Sequence, residues 1–159
     1  HAATVLGVVP VPTELSVCLS YTQDLVLIAG MLETRDILVQ EGFTHLRLAP
    51  EVRLGAGAMH RPSLSARSKG NEIFVEVCRD VSGAEDLLLT WVKASQINNG
   101  TVYVMSPNLP ILQSVLNQIN IAKDRHPGHI KRLYGANLRD YSRGKRNETD
   151  GSLWTYVRR

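Results

Sequence analysis

Cysteine is nearly absent from this chain, which holds only Cys18 and Cys78, in unlike contexts. Two isolated thiols give no disulfide framework and no metal-type spacing, so both are expected to be reduced, as in a cytoplasmic protein. Long hydrophobic runs are missing as well. The apolar stretch from Ala2 to Pro12 contains two prolines, is too short to span a bilayer and lacks a basic leader. It therefore reads as neither a signal peptide nor a membrane helix, and no membrane partner is expected. No internal repeat or low-complexity block occurs. The first residue is His1 rather than Met, so the expectation is a piece of a longer protein with a region upstream.

What is present fits one globular domain. A length of 159 residues with 43% hydrophobic content can bury one sizeable core. Residues 1–159 are read as a single domain with a core over about 20–122 and a basic extension over 123–159. The formal charge is only +3, yet it is uneven. Lys123 to Arg146 holds eight Lys/Arg against Asp124 and Asp140, a local +6. That asymmetry suits a polyphosphate partner, and it suits a solvated surface tail equally well. Tyr134, Tyr141 and Trp154 are interleaved with Arg132, Arg139, Arg143 and Arg158, a composition able to stack on bases and contact phosphates. The nucleic-acid-binding candidates are Lys131, Arg132, Arg139, Arg143, Lys145 and Arg146.

Along the chain, Ala3 to Val11 is β-rich but interrupted by Gly7 and Pro10, which predicts an edge strand or an extended lead-in. Ser20-Tyr21-Thr22-Gln23 has the form of a capping box, with Leu25, Ile28, Ala29, Leu32 and Val39 following at helical spacing and Gly42 as the stop. Phe43 to Leu48 alternates as a half-buried strand, and Pro50 interrupts its ladder. His60 falls after a Gly-rich bend and is expected as a surface-loop histidine. Ser63 to Arg67, the turn Ser68-Lys69-Gly70-Asn71 and Glu72 to Cys78 predict a hairpin. Its second strand puts Ile73, Val75 and Val77 on one face, with Glu72, Phe74, Glu76 and Cys78 on the other. A second capping box, Ser82-Gly83-Ala84-Glu85, opens a helix with Trp91 in the core, ended by Asn98-Asn99-Gly100. Thr101 to Met105 is a strand expected to pair in parallel with the previous one, and a helix carrying Leu112, Val115, Leu116 and Ile119 follows. Leu153 to Val157 is a candidate last strand. The order predicts an α/β fold with a mixed central sheet flanked by helices.

Chemistry is expected between Glu51 and Asp80. Hydrolysis of a phosphodiester with Mg²⁺ calls for oxygen ligands converging from adjacent strands, plus a lysine to orient water or stabilise developing charge. In Arg61-Pro62-Ser63-Leu64 and Glu76-Val77-Cys78, with a spacing of thirteen positions from 63 to 76, the chain resembles the PD-(D/E)XK nuclease-like superfamily. It is most similar to the nuclease-like domains of replication-relaxation and plasmid-mobilisation proteins, over about Ser20 to Ile119. The resemblance implies a restriction-endonuclease-like α-β-β-β-α-β core. It also implies a metal-binding Asp where this chain has Ser63 and a Lys where it has Cys78, so that Glu76 alone keeps its motif letter.

Those departures imply a catalytically degenerate domain that binds nucleic acid, foremost DNA, or a protein partner in plasmid or mobile-element DNA processing. The alternative is an active endonuclease using Mg²⁺ or Mn²⁺, with Glu76 as metal ligand, Glu51 or Glu72 supplying a second carboxylate and Lys93 replacing the lysine. A third reading is a protein-interaction or assembly domain, or a homodimer, without nucleic acid. Without activity, no cofactor is expected. From the residues alone, Glu76 faces solvent or pairs with Arg79 or Arg67, Cys78 is a small apolar residue, and Glu51, Glu72 and Lys93 are surface charges.

Overall fold

The computed structural model describes residues 13–80 and 85–159. The lead-in over Ala3 to Val11 and the capping residues Ser82 to Ala84 lie outside them. The described chain forms a mixed six-stranded sheet with helices on both faces. No helix among the described residues is long and apolar enough to cross a membrane.

Among the described residues two helices precede the sheet where one was expected. Thr13 caps α1 (Glu14–Tyr21) by accepting from the Ser16 N–H at 3.2 Å. Asp24 caps α2 (Leu25–Gln40) by accepting from the Val26 and Leu27 N–H groups at 3.0 and 3.3 Å. Ser20 therefore opens nothing: it lies inside α1 and its hydroxyl donates to the Val17 carbonyl at 2.6 Å. A carboxylate at the positive end of a helix is an effective cap, and Asp24 stands directly ahead of the apolar run. The expected stop holds, since Gly42 follows the helix with φ +89°. A Cβ at Gly30 would stand 3.4 Å from Val77 Cγ1, in ordinary van der Waals contact.

The strands are β1 (Thr44–Leu48), β2 (Val52–Arg53), β3 (Met59–His60), β4 (Leu64–Ser68), β5 (Asn71–Val77), β6 (Thr101–Ser106), β7 (Arg132–Asn137) and β8 (Tyr156–Arg158). The large sheet runs β1-β4-β5-β6-β7-β8. β1, β4 and β5 are antiparallel neighbours, β5, β6 and β7 are parallel, and β8 returns antiparallel to β7. The expected hairpin forms: Lys69 (φ +51°) and Gly70 (φ +80°) make a two-residue turn between the paired Ser68 and Asn71. Positive φ at both turn residues matches the twist of the flanking strands.

The parallel pairs require crossovers, supplied by α3 (Glu85–Ile97) and α4 (Leu109–Arg125). These helices bury Trp91, Leu112, Val115 and Ile119 against Val102, Val104 and Leu133 on one face. α2 buries Ile28, Met31 and Leu38 against Leu64, Val75, Val77 and Met105 on the other, where Cys18 of α1 joins the same core. Asn98, in the turn after α3, clamps β5 by accepting from the Phe74 N–H at 3.0 Å and donating to its carbonyl at 2.8 Å.

Two expectations change here. The segment after Gly57 is a strand, not a loop. β2 and β3 form a small separate hairpin, joined by a 3-10 turn over Gly55–Gly57, and β3 packs against α3. The basic segment 123–159 is no appendage to a 20–122 core, because β7 and β8 supply two of the six strands. Its charges obscured a buried part: Leu133, Gly135, Ala136 and Asn137 of β7 are all buried.

Candidate functional site

β4 and β5 bring the motif positions together. Their register pairs Leu64 with Val75, which brings Ser63, directly ahead of β4, beside the Glu76–Val77 end of β5. Glu76 pairs in parallel with Val104 and shares its face, the one covered by α3 and α4. This is the side predicted from strand alternation.

Burial then forces Glu76 to find a partner. It is 6% exposed, and its Oε1 lies 2.6 Å from Nε2 of His60, itself 8% exposed. The partner is thus His60, in place of solvent, Arg79 or Arg67. Arg79 instead reaches Asp24 and Asp80, at 3.5 and 3.3 Å. The expected surface histidine is a core residue because Val52 pairs with it across the small hairpin, which lays β3 over the sheet and against α3.

Ser63 is fully buried and also engaged. Its Oγ accepts from the Val77 N–H at 2.9 Å and lies 3.4 Å from the Tyr21 hydroxyl. Burial pushes the Tyr21 phenol up to about 12, the charge of Glu76 adds to this, and the Ser63 contact and Arg61 oppose it. Tyr21 therefore stays a neutral hydroxyl across the physiological range. Cys78 is partly buried as a residue, with its N–H donating to the Met105 carbonyl at 2.9 Å. Burial pushes its thiol well up, helped by the charges of Glu76 and Asp80, so it is held as a thiol and makes a poor nucleophile.

Arg61 ties the neighbourhood together. Its guanidinium donates to the Ala49 carbonyl at 2.8 Å, the Ser20 carbonyl at 3.0 Å and the Ser20 hydroxyl at 2.7 Å. It also lies over the Tyr21 ring at 5.5 Å from the centroid. α1 is thereby fastened by its C-terminal end to the strands that carry Ser63 and Glu76, and Tyr21 is held above them.

The other candidate ligands do not converge. Glu51 is exposed ahead of β2 and has no hydrogen bond or ion pair among the described residues. Glu72 sits near the opposite end of β5 and pairs with Arg47 at 3.0 Å. Lys93 is exposed on α3, facing an open groove against Arg53, Leu54 and Ala58 of the small hairpin. Among the described residues no three His, Cys, Asp or Glu side chains stand where they could hold a metal ion together. The motif donors fit Mg²⁺ poorly, because that cation takes hard oxygen ligands. Here one carboxylate is bonded to an imidazole, beside a serine hydroxyl occupied by a backbone N–H and a protonated thiol.

The basic candidates separate into two groups. Lys131 and Arg132 stand at the start of β7, whereas Arg139, Arg143, Lys145 and Arg146 lie beyond its end. Six residues of strand put roughly 20 Å between the groups. In the second group Arg146 pairs with Glu41 and covers the Tyr141 ring, and Lys145 pairs with Asp140 at 3.6 Å. Arg139 and Arg143 remain exposed at that end. Sequence reasoning missed His60, Arg61 and Tyr21. The available signal was His60-Arg61 directly ahead of the Pro62-Ser63 motif letters. No family model, curated protein or solved structure matches the chain.

Proposed function

We propose that this chain is a nuclease-like domain, of the PD-(D/E)XK kind, that binds nucleic acid without cleaving it and serves in plasmid or mobile-element DNA processing. Two features support the scaffold. The order α2-β1-β4-β5-α3-β6 follows the α-β-β-β-α-β sequence of that superfamily, with the β2–β3 hairpin as an insertion. Ser63, directly ahead of β4, meets the N–H of Val77 beside Glu76 at 2.9 Å, which supports reading the two as the superfamily's Asp and Glu positions.

The observation that carries the non-cleaving part is the buried His60–Glu76 contact at 2.6 Å. It commits the one remaining motif carboxylate to a histidine, while Ser63 Oγ is occupied by the Val77 N–H and Cys78 offers a protonated thiol in place of an ammonium group. The basic groups at both ends of β7 support DNA as the partner.

A second reading has its own support. Leu15 and Leu19 on α1 and Leu25 and Val26 on α2 are exposed at 51%, 44%, 67% and 57%, an apolar edge suited to a protein partner or a second copy. The test is a mobility assay on supercoiled, single-stranded and branched DNA with and without Mg²⁺ or Mn²⁺. Retarded but intact DNA, with affinity falling steeply as salt rises, supports the proposal. Intact and unretarded DNA, with a dimer by light scattering, supports the second reading.

A further inference from the structure

The sheet carries a second feature, on the face opposite Glu76. Tyr103 of β6 and Tyr134 of β7 are paired in register and stacked, with ring centroids 5.0 Å apart and planes within 13°. Both are partly exposed, and they line a groove of mixed polarity with Ile73, Asn71, Asn98 and Arg132. Trp154 packs against both rings, with centroids 5.2 Å from Tyr103 and 6.5 Å from Tyr134. Arg132 is two residues ahead of Tyr134 on the same strand face, and its guanidinium donates to Thr101 Oγ1 at 3.1 Å and the Asn99 carbonyl at 3.4 Å.

Arg132 also belongs to a cleft on the far side of β7. Lys123 of α4, Lys131 and Arg158 of β8 line that cleft with it, and no carboxylate does. Among the described residues the one acid lining the aromatic groove, Glu72, is paired with Arg47 at 3.0 Å. Partly exposed stacked rings bordered by amide and hydroxyl groups, with Arg132 lining both their groove and the basic cleft, match a planar base attached to a phosphodiester chain. An aliphatic protein partner would meet polar rims and unmatched positive charge there.

We propose that Tyr103 and Tyr134 form a base-stacking platform for single-stranded nucleic acid, with Arg132, Lys131, Lys123 and Arg158 receiving its phosphates. This rests on the reading that the chain binds nucleic acid, and it puts the main contact on the sheet face opposite the motif positions. A duplex keeps its base faces inside its own stack, so the platform selects single strands.

The test uses the full chain and fluorescence anisotropy, with labelled oligothymidine and oligouridine about 10 nucleotides long and a duplex of equal length. Single strands are expected to bind at least about tenfold more tightly than the duplex, and Tyr103→Ala and Tyr134→Ala are each expected to weaken binding by about tenfold. A preference for the thymidine or the uridine strand identifies the sugar, and either supports the platform. Tyr103→Phe retains the stack and should bind as the parent does, while Lys123→Ala on the exposed helix should lower the salt slope by about 0.7. These two variants keep the test decisive should an alanine variant fail to fold, as judged by circular dichroism. Equal affinity for duplex and single strands, unchanged by the tyrosine substitutions but lost in Arg139→Ala/Arg143→Ala, overturns the platform and leaves nucleic-acid binding standing. Absence of binding to any of the three probes overturns both.

Discussion

Glu76 Oε1 and His60 Nε2 lie 2.6 Å apart beneath the small β2–β3 hairpin, joining the third strand of the antiparallel unit to the insertion that covers it. The contact ties the hairpin's position to a residue of the sheet. Removing the imidazole leaves a buried carboxylate without its partner. His60→Ala is expected to destabilise the fold by about 2–4 kcal/mol, whereas Glu76→Gln, which keeps an acceptor for the imidazole, is expected to cost about 1 kcal/mol or less. Urea unfolding of both variants checks the order. An equal, small loss in both would mean that the contact contributes little.

Arg61 is expected to govern the attachment of α1. Its three hydrogen bonds reach Ala49 and Ser20, on separate elements. Arg61→Ala should raise hydrogen exchange across residues 14–21 while β5 and β6 stay protected, because α1 lies outside the sheet ladder. Uniformly faster exchange throughout the chain would show instead that Arg61 holds the whole domain.

Gly30 separates helix propensity from packing. A Cβ at this position meets Val77 Cγ1 at 3.4 Å, an ordinary contact, and the residue lies within α2. Gly30→Ala is expected to stabilise the protein by about 0.5–1 kcal/mol through reduced freedom of the unfolded chain. Gly30→Leu is expected to destabilise it, since the extra atoms have only the β5 surface to enter. Thermal melts of the two variants should move in opposite directions.

Alkaline stability follows from two raised groups. The Cys78 thiol is raised from 9.0 and the Tyr21 phenol from 10.0 to about 12, chiefly by burial. In that range the unfolded chain loses these protons while the folded chain keeps them, so stability falls as pH rises. The contribution is complete below pH 9, begins to decline there through Cys78, and declines further from pH 10 through Tyr21. Denaturant midpoints between pH 8 and 11 should therefore fall less steeply in Cys78→Ala and Tyr21→Phe than in the parent.

Much of the scaffold was legible in the sequence because its elements announce themselves locally. Alternation in 72–78 put Glu76 on the face opposite Val75, Lys69-Gly70 marked the tight turn, and the helix before Thr101 implied the parallel pairing. What stayed hidden depends on contacts distant in sequence. His60 is buried by an excursion that only tertiary packing places against α3, and sixteen positions separate it from Glu76. α1 was missed because its cap, Thr13, adjoins Pro12 and an apolar run that read as extended. The basic segment misled through composition: strand β7 lies within it, its cations fall at either end, and Tyr134 meets its partner Tyr103 only when β6 and β7 pair.

The most direct test is incubation of the full chain with supercoiled DNA in Mg²⁺ or Mn²⁺, beside Glu76→Ala and Glu76→Gln. With Glu76 committed to His60, the parent is expected to retard DNA and leave it intact, and Glu76→Gln to bind DNA with unchanged affinity. Nicking or linearisation that requires the divalent ion and disappears in Glu76→Ala would contradict it.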